Sequence, residues 1–380
     1  MTDETTAPFA QLTTIRVGGA PARLVVADTR EALVDAVEEA RGEGEEWFLL
    51  GGGSNTVAGD EGFDGTVIHA RTRGVERLAA PKGRIRLRVQ AGEPWDDLVA
   101  LAVSNGWSGI EALSGIPGST GAAPVQNIGA YGQEIESSLL GVEFFDDATG
   151  EVVYLTREEL GLGYRTSVLK RGRRGVVLTV DLELADNTVP GGVGAPLSAP
   201  VAYAQLAGAL GVPQGARVPV AELRRAVLAL RSSKGMVLDP ADPDSVSSGS
   251  FFTNPIVSES FARTLPSDAP RWPQDPPEPD TVFDLPPGGV HPLDVPPLPS
   301  VEYTVKLSAA WLIEHAGIRR GFALPGSGAA ISSKHTLAIV NRGGATASDV
   351  LQLATFVQSR VQAEFGVTLQ PEPVLLGMAI

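Results

Sequence analysis

The chain has 380 residues, 43% hydrophobic and 20% charged, with a formal net charge of −15, four histidines and no cysteine. The lack of cysteine excludes disulfides, thiolate metal sites and a cysteine nucleophile, and His69, His291, His315 and His335 show no metal-ligand spacing, so no metal is expected. Net negative charge disfavours nucleic acid and anionic membrane surfaces, no run approaches the roughly 18 apolar residues of a membrane span, and the acidic, polar start Met1-Thr2-Asp3-Glu4-Thr5-Thr6 is unlike a secretory signal. A cytoplasmic protein that binds neither nucleic acid nor membrane is expected.

A chain of this length is too long for one core, so two or three lobes are expected. Leu12 to Asp28 alternates apolar and polar residues around Gly18-Gly19. Leu33, Val34, Val37 and Ala40 then fall at helical spacing over Arg30 to Arg41, and Trp47-Phe48-Leu49-Leu50 reads as a short buried strand: a small α/β lobe. Thr66 to Ala70, Arg84 to Ala91 and Val142 to Asp146 read as strands, the second alternating strictly. Pro94 to Asn105 reads as a helix with the apolar stripe Trp95, Leu98, Leu101 and Ala102, closed by Gly106. Residues 186 to 200 form a Gly- and Pro-rich connection, and Ala221 to Arg231 a helix. Thr264 to Ser300, dense in proline and acid, suits an extended surface insertion. Helices follow at about Ser308 to His315 and at Ser348 to Phe365, the latter with Thr346 and Asp349 as a capping pair and Gly366 as its stop. Val367 to Leu376 reads as a terminal strand.

Two segments are glycine-rich in a way that suits an anion or a flat ring. Gly51-Gly52-Gly53-Ser54-Asn55-Thr56 follows a strand, where consecutive glycines let several N–H groups point at one phosphate; an ordinary turn has the same composition. Thr56 stands where a dinucleotide-binding fingerprint needs its last glycine, which excludes that fold. Ser114 to Gly132 is low in charge and high in small residues, so a ring or diphosphate could approach its backbone closely.

In order, Gly51 to Asn55, Ile116-Pro117-Gly118, Gln126 to Gly132, Gly163-Tyr164-Arg165-Thr166-Ser167 and Gly249-Ser250-Phe251-Phe252-Thr253-Asn254-Pro255 resemble the UDP-N-acetylenolpyruvoylglucosamine reductase family. The resemblance runs from Thr13-Thr14-Ile15-Arg16-Val17-Gly18-Gly19 to Gln370-Pro371-Glu372-Pro373-Val374. It implies an α+β fold: a two-lobed FAD-binding region of the vanillyl-alcohol-oxidase (PCMH) type and a separate α/β substrate-binding lobe. Its implied segments are 1–70 and 71–220 for FAD, 221–366 for substrate, and 367–380 returning to the site. The implied activity is NADPH-dependent reduction, through FAD, of an enolpyruvyl ether on a UDP-linked amino sugar in peptidoglycan precursor synthesis, by a monomer.

By the same resemblance, Gly51, Gly52, Gly53, Ser54, Asn55 and Thr56, with Pro117, Gly118, Ser119 and Thr120, would hold FAD phosphates. Gln126, Asn127, Ile128, Gly129, Ala130 and Tyr131 would line the flavin. Negative charge develops beside the substrate carboxylate during reduction, so the site needs cationic or hydrogen-bonding groups there and a proton donor at the carbon. Arg165 and Glu372 match the first role and Ser250 the second. Tyr203, Arg231, Lys234, Asn254 and Lys306 match residues that contact the nucleotide sugar, Tyr203 on a mobile loop of the longer class. Two departures stand out: Thr253 replaces a usual lysine, and the proline-rich insertion has no counterpart in shorter members. A sugar or lactone oxidase of the same fold, and a non-catalytic nucleotide-sugar sensor, remain rival readings.

Overall fold

The computed structural model describes residues 2–3, 7–188, 194–274 and 303–379. Packing divides them into two units. The first comprises 1–251, 320–355 and 372–380, the second 252–319 and 356–371. Residues 221–251 and 320–355 thus pack with the first unit.

The first unit opens with a parallel sheet in which Pro21–Ala27 and Trp47–Leu50 flank Phe63–Ala70. The helix Arg30–Glu43 covers it. Thr29 caps that helix by accepting from the Ala32 N–H at 3.1 Å, and Gly44, at φ +68°, ends it. Its buried Leu33, Ala36, Val37 and Ala40 pack against Val25, Ala27, Ile68 and, from the next sheet, Phe145 and Leu178. Val34 is only partly buried.

That next sheet is antiparallel, in the order 151–156, 139–146, 175–186, 84–90 and 75–78. The alternation of Arg84–Gln90 has the expected consequence. Ile85, Leu87 and Val89 enter the core, while Arg86 and Arg88 on the other face pair across the ladder with Glu183 and Asp181, each at 2.7 Å. The helix Trp95–Ser104 buries Trp95, Leu98, Val99 and Ala102. Leu101, expected in that stripe, is 39% exposed: residues i, i+3, i+4 and i+7 from Trp95 share one face, and i+6 does not. A third, smaller sheet orders Ser247–Ser250, Ala338–Asn341 and Ala329–Ile331.

The terminal segment forms a strand only at Val374–Leu376, paired in parallel with Thr56–Ala58. The strand expected from Val367 is shorter because Pro371 and Pro373 have no N–H for a ladder. Helix Ala347–Phe365 starts on the expected capping pair, Thr346 and Asp349 exchanging backbone-to-side-chain bonds at 3.0 Å each, and stops at Gly366, φ +70°. Asp60 adds a second cap, accepting from the Ala347 and Ser348 N–H groups at 2.7 and 2.9 Å.

The second unit is a three-stranded antiparallel sheet, Thr304–Leu307 between Ile256–Ser258 and Arg271–Pro273, with helix Ala309–His315. Its third strand corrects the reading of 264 to 300 as a surface excursion: Ala262, Leu265 and Ala269 are buried and residues 271–273 belong to the sheet. Residues 275–300 lie outside the described residues. No helix among the described residues is long and apolar enough to cross a membrane.

Asp60→Ala should lower unfolding free energy by about 1–2 kcal/mol in urea titrations, since it removes two helix N-terminal bonds, and should leave the far-UV circular dichroism spectrum unchanged.

Candidate active site

The first unit contains a cleft of about 610 Å³ whose walls come from five separated stretches of chain: residues 47–56, 116–129, 165–177, 248–250 and 372–374. The glycine loop after Trp47–Leu50 and the Pro117-Gly118-Ser119 loop stack backbone to backbone. A Cβ on Gly52 would lie 2.7 Å from the Gly118 Cα, and Ser54 Oγ donates to the Pro117 carbonyl at 2.9 Å. Gly53 sits at φ +62° against the Leu12 carbonyl, where no side chain fits. Apolar floor comes from Ala91, Trp95, Ile116, Ile128, Phe144 and Val177.

The cleft is also lined by Arg165, one of four non-glycine residues at positive φ among the described residues; Asn127 and Tyr131 are two others, at +52°, +45° and +49° in that order. Strained backbone of this kind persists where the surroundings over-determine it. Here they do. Ser167 Oγ donates to the Val125 carbonyl at 2.6 Å, Asn127 Nδ2 to the Gly163 carbonyl at 3.2 Å, and Arg165 Nη1 and Nη2 to the Asn127 and Gly129 carbonyls at 3.2 and 2.9 Å. Arg165 Nε then meets Glu372 Oε1 at 3.2 Å. Three of the five guanidinium N–H groups are so engaged, leaving two for a ligand.

Glu372 reaches this place because its own N–H donates to the Phe251 carbonyl at 2.8 Å and the Val374 N–H to the Asn55 carbonyl at 2.9 Å. Burial pushes its carboxyl above the usual range, while Arg165 and Lys170 pull the other way.

Ser250 enters through a bulge. Ser247 faces Val340 and Ser250 faces Ala338, three steps against two, with Gly249 at φ +80°. Ser248, Gly249 and Ser250 consequently all line the cleft, and no side-chain hydrogen bond ties down the Ser250 hydroxyl among the described residues. The Ser248 hydroxyl is buried with no partner among them.

Comparison with known proteins shows the family. The profile of the FAD binding domain matches residues 21–156, and that of the UDP-N-acetylenolpyruvoylglucosamine reductase C-terminal domain matches 240–376. The UDP-N-acetylenolpyruvoylglucosamine reductase of Leifsonia xyli subsp. xyli is 75% identical over 98% of both chains. This chain belongs to the UDP-N-acetylenolpyruvoylglucosamine reductase family. The Saccharopolyspora erythraea relative of that name is 49% identical over 98% of this chain and 95% of its own. The crystal structure of the Thermus caldophilus reductase is 28% identical, covers 99% of each chain and superposes with a TM-score of 0.61. The expected α+β fold with an FAD-binding region holds, and the oxidase and sensor readings find no support in these reductase relatives.

Of the residues expected in the reductase site, Gly51 to Thr56, Pro117, Gly118, Ser119, Gln126, Ile128, Gly129, Arg165, Arg231, Ser250 and Glu372 border this cleft. Thr120, Asn127, Ala130 and Tyr131 do not. Thr120 instead bonds the Glu93 carbonyl through Oγ1 at 2.9 Å, and buried Asn127 braces the Arg165 turn.

Tyr131, Tyr203 and Lys234 form a neighbouring cluster. The two rings meet edge to face at 5.8 Å, and the ammonium lies 5.7 Å above Tyr131 while donating to Gln205 at 3.0 Å. Arg231 is buried there, donates to the Met236 carbonyl at 2.8 Å and has an unpartnered Nε, burial working against its charge. Asn254 and Lys306 belong to the second unit, where Asn254 Oδ1 accepts from the Ala309 N–H at 3.0 Å at the start of a helix.

Sequence reasoning missed Lys170, Arg173, Arg174 and Ser248, all on the cleft. Lys170 alone had a signal, a rare lysine five residues after Arg165.

Gly52→Ala should weaken flavin binding by about tenfold or more, because forced overpacking of two backbones costs roughly 1–3 kcal/mol. The check is flavin retained per protein after gel filtration.

Proposed function

We propose that Ser250, Arg165 and Glu372 carry the reaction of this reductase: reduction of the enolpyruvyl ether of UDP-N-acetylglucosamine-enolpyruvate to UDP-N-acetylmuramate, in peptidoglycan precursor synthesis. The cofactors are FAD and NADPH. When bound, FAD would supply the relay that carries a hydride from NADPH to the terminal carbon of the enolpyruvyl group. Supporting the residue assignment is one observation, that these three side chains from distant parts of the sequence border a single cleft.

The cleft suits FAD on its own terms. Two closely packed glycine loops line it with main chain, the floor is apolar, and a buried hydroxyl at Ser248 has no partner among the described residues. Gly51 to Thr56 with Pro117 to Ser119 would hold the diphosphate, and Gln126, Ile128 and Gly129 would border the ring. Thr120, Asn127, Ala130 and Tyr131 would act behind them by fixing the loops.

Charge that develops on the substrate carboxylate would meet the two remaining Arg165 N–H groups. It would also meet the Glu372 carboxyl, which burial favours in its protonated, donating form. The Ser250 hydroxyl, untied by other side chains, would give its proton to the carbon beside that carboxylate and regain one from water. A hydroxyl is acid enough because the carbon is strongly basic at that moment. Tyr203, Arg231 and Lys234 would bind the sugar diphosphate, which their clustering supports; for Asn254 and Lys306 the support is the family resemblance. The absence of excess positive charge fits a small anionic substrate met locally rather than nucleic acid. We place the enzyme in the cytoplasm, where NADPH is maintained, as a monomer.

Stopped-flow measurement of the two half-reactions tests this reading. Ser250→Ala should leave flavin reduction by NADPH nearly intact and slow reoxidation by substrate by about 10²–10⁴-fold; equal losses in both halves would overturn the assignment. Because the Glu372 value is raised, its proton persists to higher pH than on a free glutamate and is lost as pH climbs through that raised value. Reoxidation should therefore fall along a limb above the ordinary carboxylate range. Glu372→Gln, which keeps a donor but cannot titrate, should remove that limb.

A further inference from the structure

Four groups on the cleft wall form a closed square of two donors and two acceptors. Asn55 Nδ2 donates to Gln126 Oε1 at 2.9 Å and to the Glu372 main-chain carbonyl at 3.3 Å. Lys170 Nζ donates to the same two oxygens, at 3.2 Å each. With its oxygen facing two donors, the Gln126 amide has one workable orientation, which turns Nε2 toward Glu372 Oε1 at 3.3 Å. Arg165 reaches that same oxygen.

Asn55 and Gln126 are neutral, so Lys170 supplies the square's only full charge. Its place is set locally: the Lys170 N–H donates to Ser167 Oγ at 3.2 Å, and Ser167 is itself anchored to the Val125 carbonyl. The loop that carries Gln126 and the loop that carries Lys170 are therefore one mechanical piece, and the terminal segment is pinned to it at residue 372.

We propose that Lys170 is a positioning residue for Glu372, its ammonium locking the Gln126 amide and the residue-372 main chain together and so governing the carboxyl that faces the cleft. The proposal rests on the reading of Glu372 as a proton-bearing donor. The charged groups facing that carboxyl are Arg165 and Lys170, and both draw it toward the ionised form against burial. Lys170, exposed at its outer surface, is in turn held below the usual lysine range by partial desolvation, with the Glu372 charge opposing that shift. Removing the ammonium takes away one of the two counter-charges and half of the donors that fix the amide.

The test is the pH profile of the two half-reactions in the FAD-loaded enzyme. Lys170→Met should leave flavin reduction by NADPH within about twofold and slow reoxidation by substrate about tenfold through lost alignment. It should also move the Glu372 limb upward by about 0.5–1 pH unit through the lost neighbouring cation. Lys170→Arg should return the limb toward the wild-type position, which a loss of packing alone would not do. In the Glu372→Gln background, Lys170→Met should add no pH dependence.

An unmoved limb in Lys170→Met, where Glu372→Gln still abolishes it, would overturn the role of Lys170 and leave that of Glu372 standing. A limb that survives Glu372→Gln would overturn both. Equal losses in the two half-reactions of Lys170→Met would reduce Lys170 to a structural residue.

Discussion

The site depends on one pairing, the parallel ladder between Val374–Leu376 and Thr56–Ala58. Three residues of terminal strand carry the chain back from residue 372 to the loop that follows the first sheet, more than 300 positions earlier. The Asn55 carbonyl and the Phe251 carbonyl then grip the segment on either side of Glu372. Without that pairing Arg165 would lose its carboxylate partner, and the strained turn at Arg165 would lose one of the bonds that hold it. The energy comes from burial of the sheets; the ladder determines where that energy is applied.

A second constraint is steric. Gly52 is needed because a Cβ there would lie 2.7 Å from the Gly118 Cα, and Gly118, at φ +122°, because its own would lie 2.7 Å from Ser54 Oγ; main chain rather than side chain is left as this part of the cleft wall. That outcome differs from the expectation that the glycines serve chiefly to curl toward an anion. They serve first to let the loops meet. The same logic explains why Thr120 and Asn127 sit behind the wall: each spends its side chain on main-chain partners that keep the bare loops in place.

Much of this was legible in the sequence where a signal is local. The alternation in Arg84–Gln90 gives a sheet with a paired ionic face, and the Thr346 and Asp349 cap gives a helix start, because both are set by residues within a few positions of one another. Leu101 was misplaced for a local reason too: at i+6 from Trp95 it was added to a stripe that the i+3, i+4 and i+7 positions fill. The motif order located Ser250, Arg165 and Glu372 individually. Nothing in the sequence could show that Arg165 spends three of its N–H groups inside the protein, or that Lys170 closes a square with Asn55, Gln126 and Glu372. Those facts depend on how segments 40 to 320 residues apart come together. Residues 271–273 were missed for the opposite reason: a tryptophan beside a proline in a proline-rich stretch reads as loop until a partner strand is known.

The bulge at Ser247–Ser250 shows how the local and the distant combine. In a regular strand, residues 248 and 250 would share one face and 249 the other, so the backbone would lie flat along the cleft. An extra residue with Gly249 in the left-handed region rotates the strand, and all three residues come to border the cleft. Ser250 thereby borders the cleft at a strand end, its hydroxyl without a side-chain hydrogen bond among the described residues, while its neighbour Phe251 is fully buried and uses its carbonyl to hold Glu372. Ser250 on the cleft and the main chain of Glu372 are thus tied to adjacent residues of one strand end.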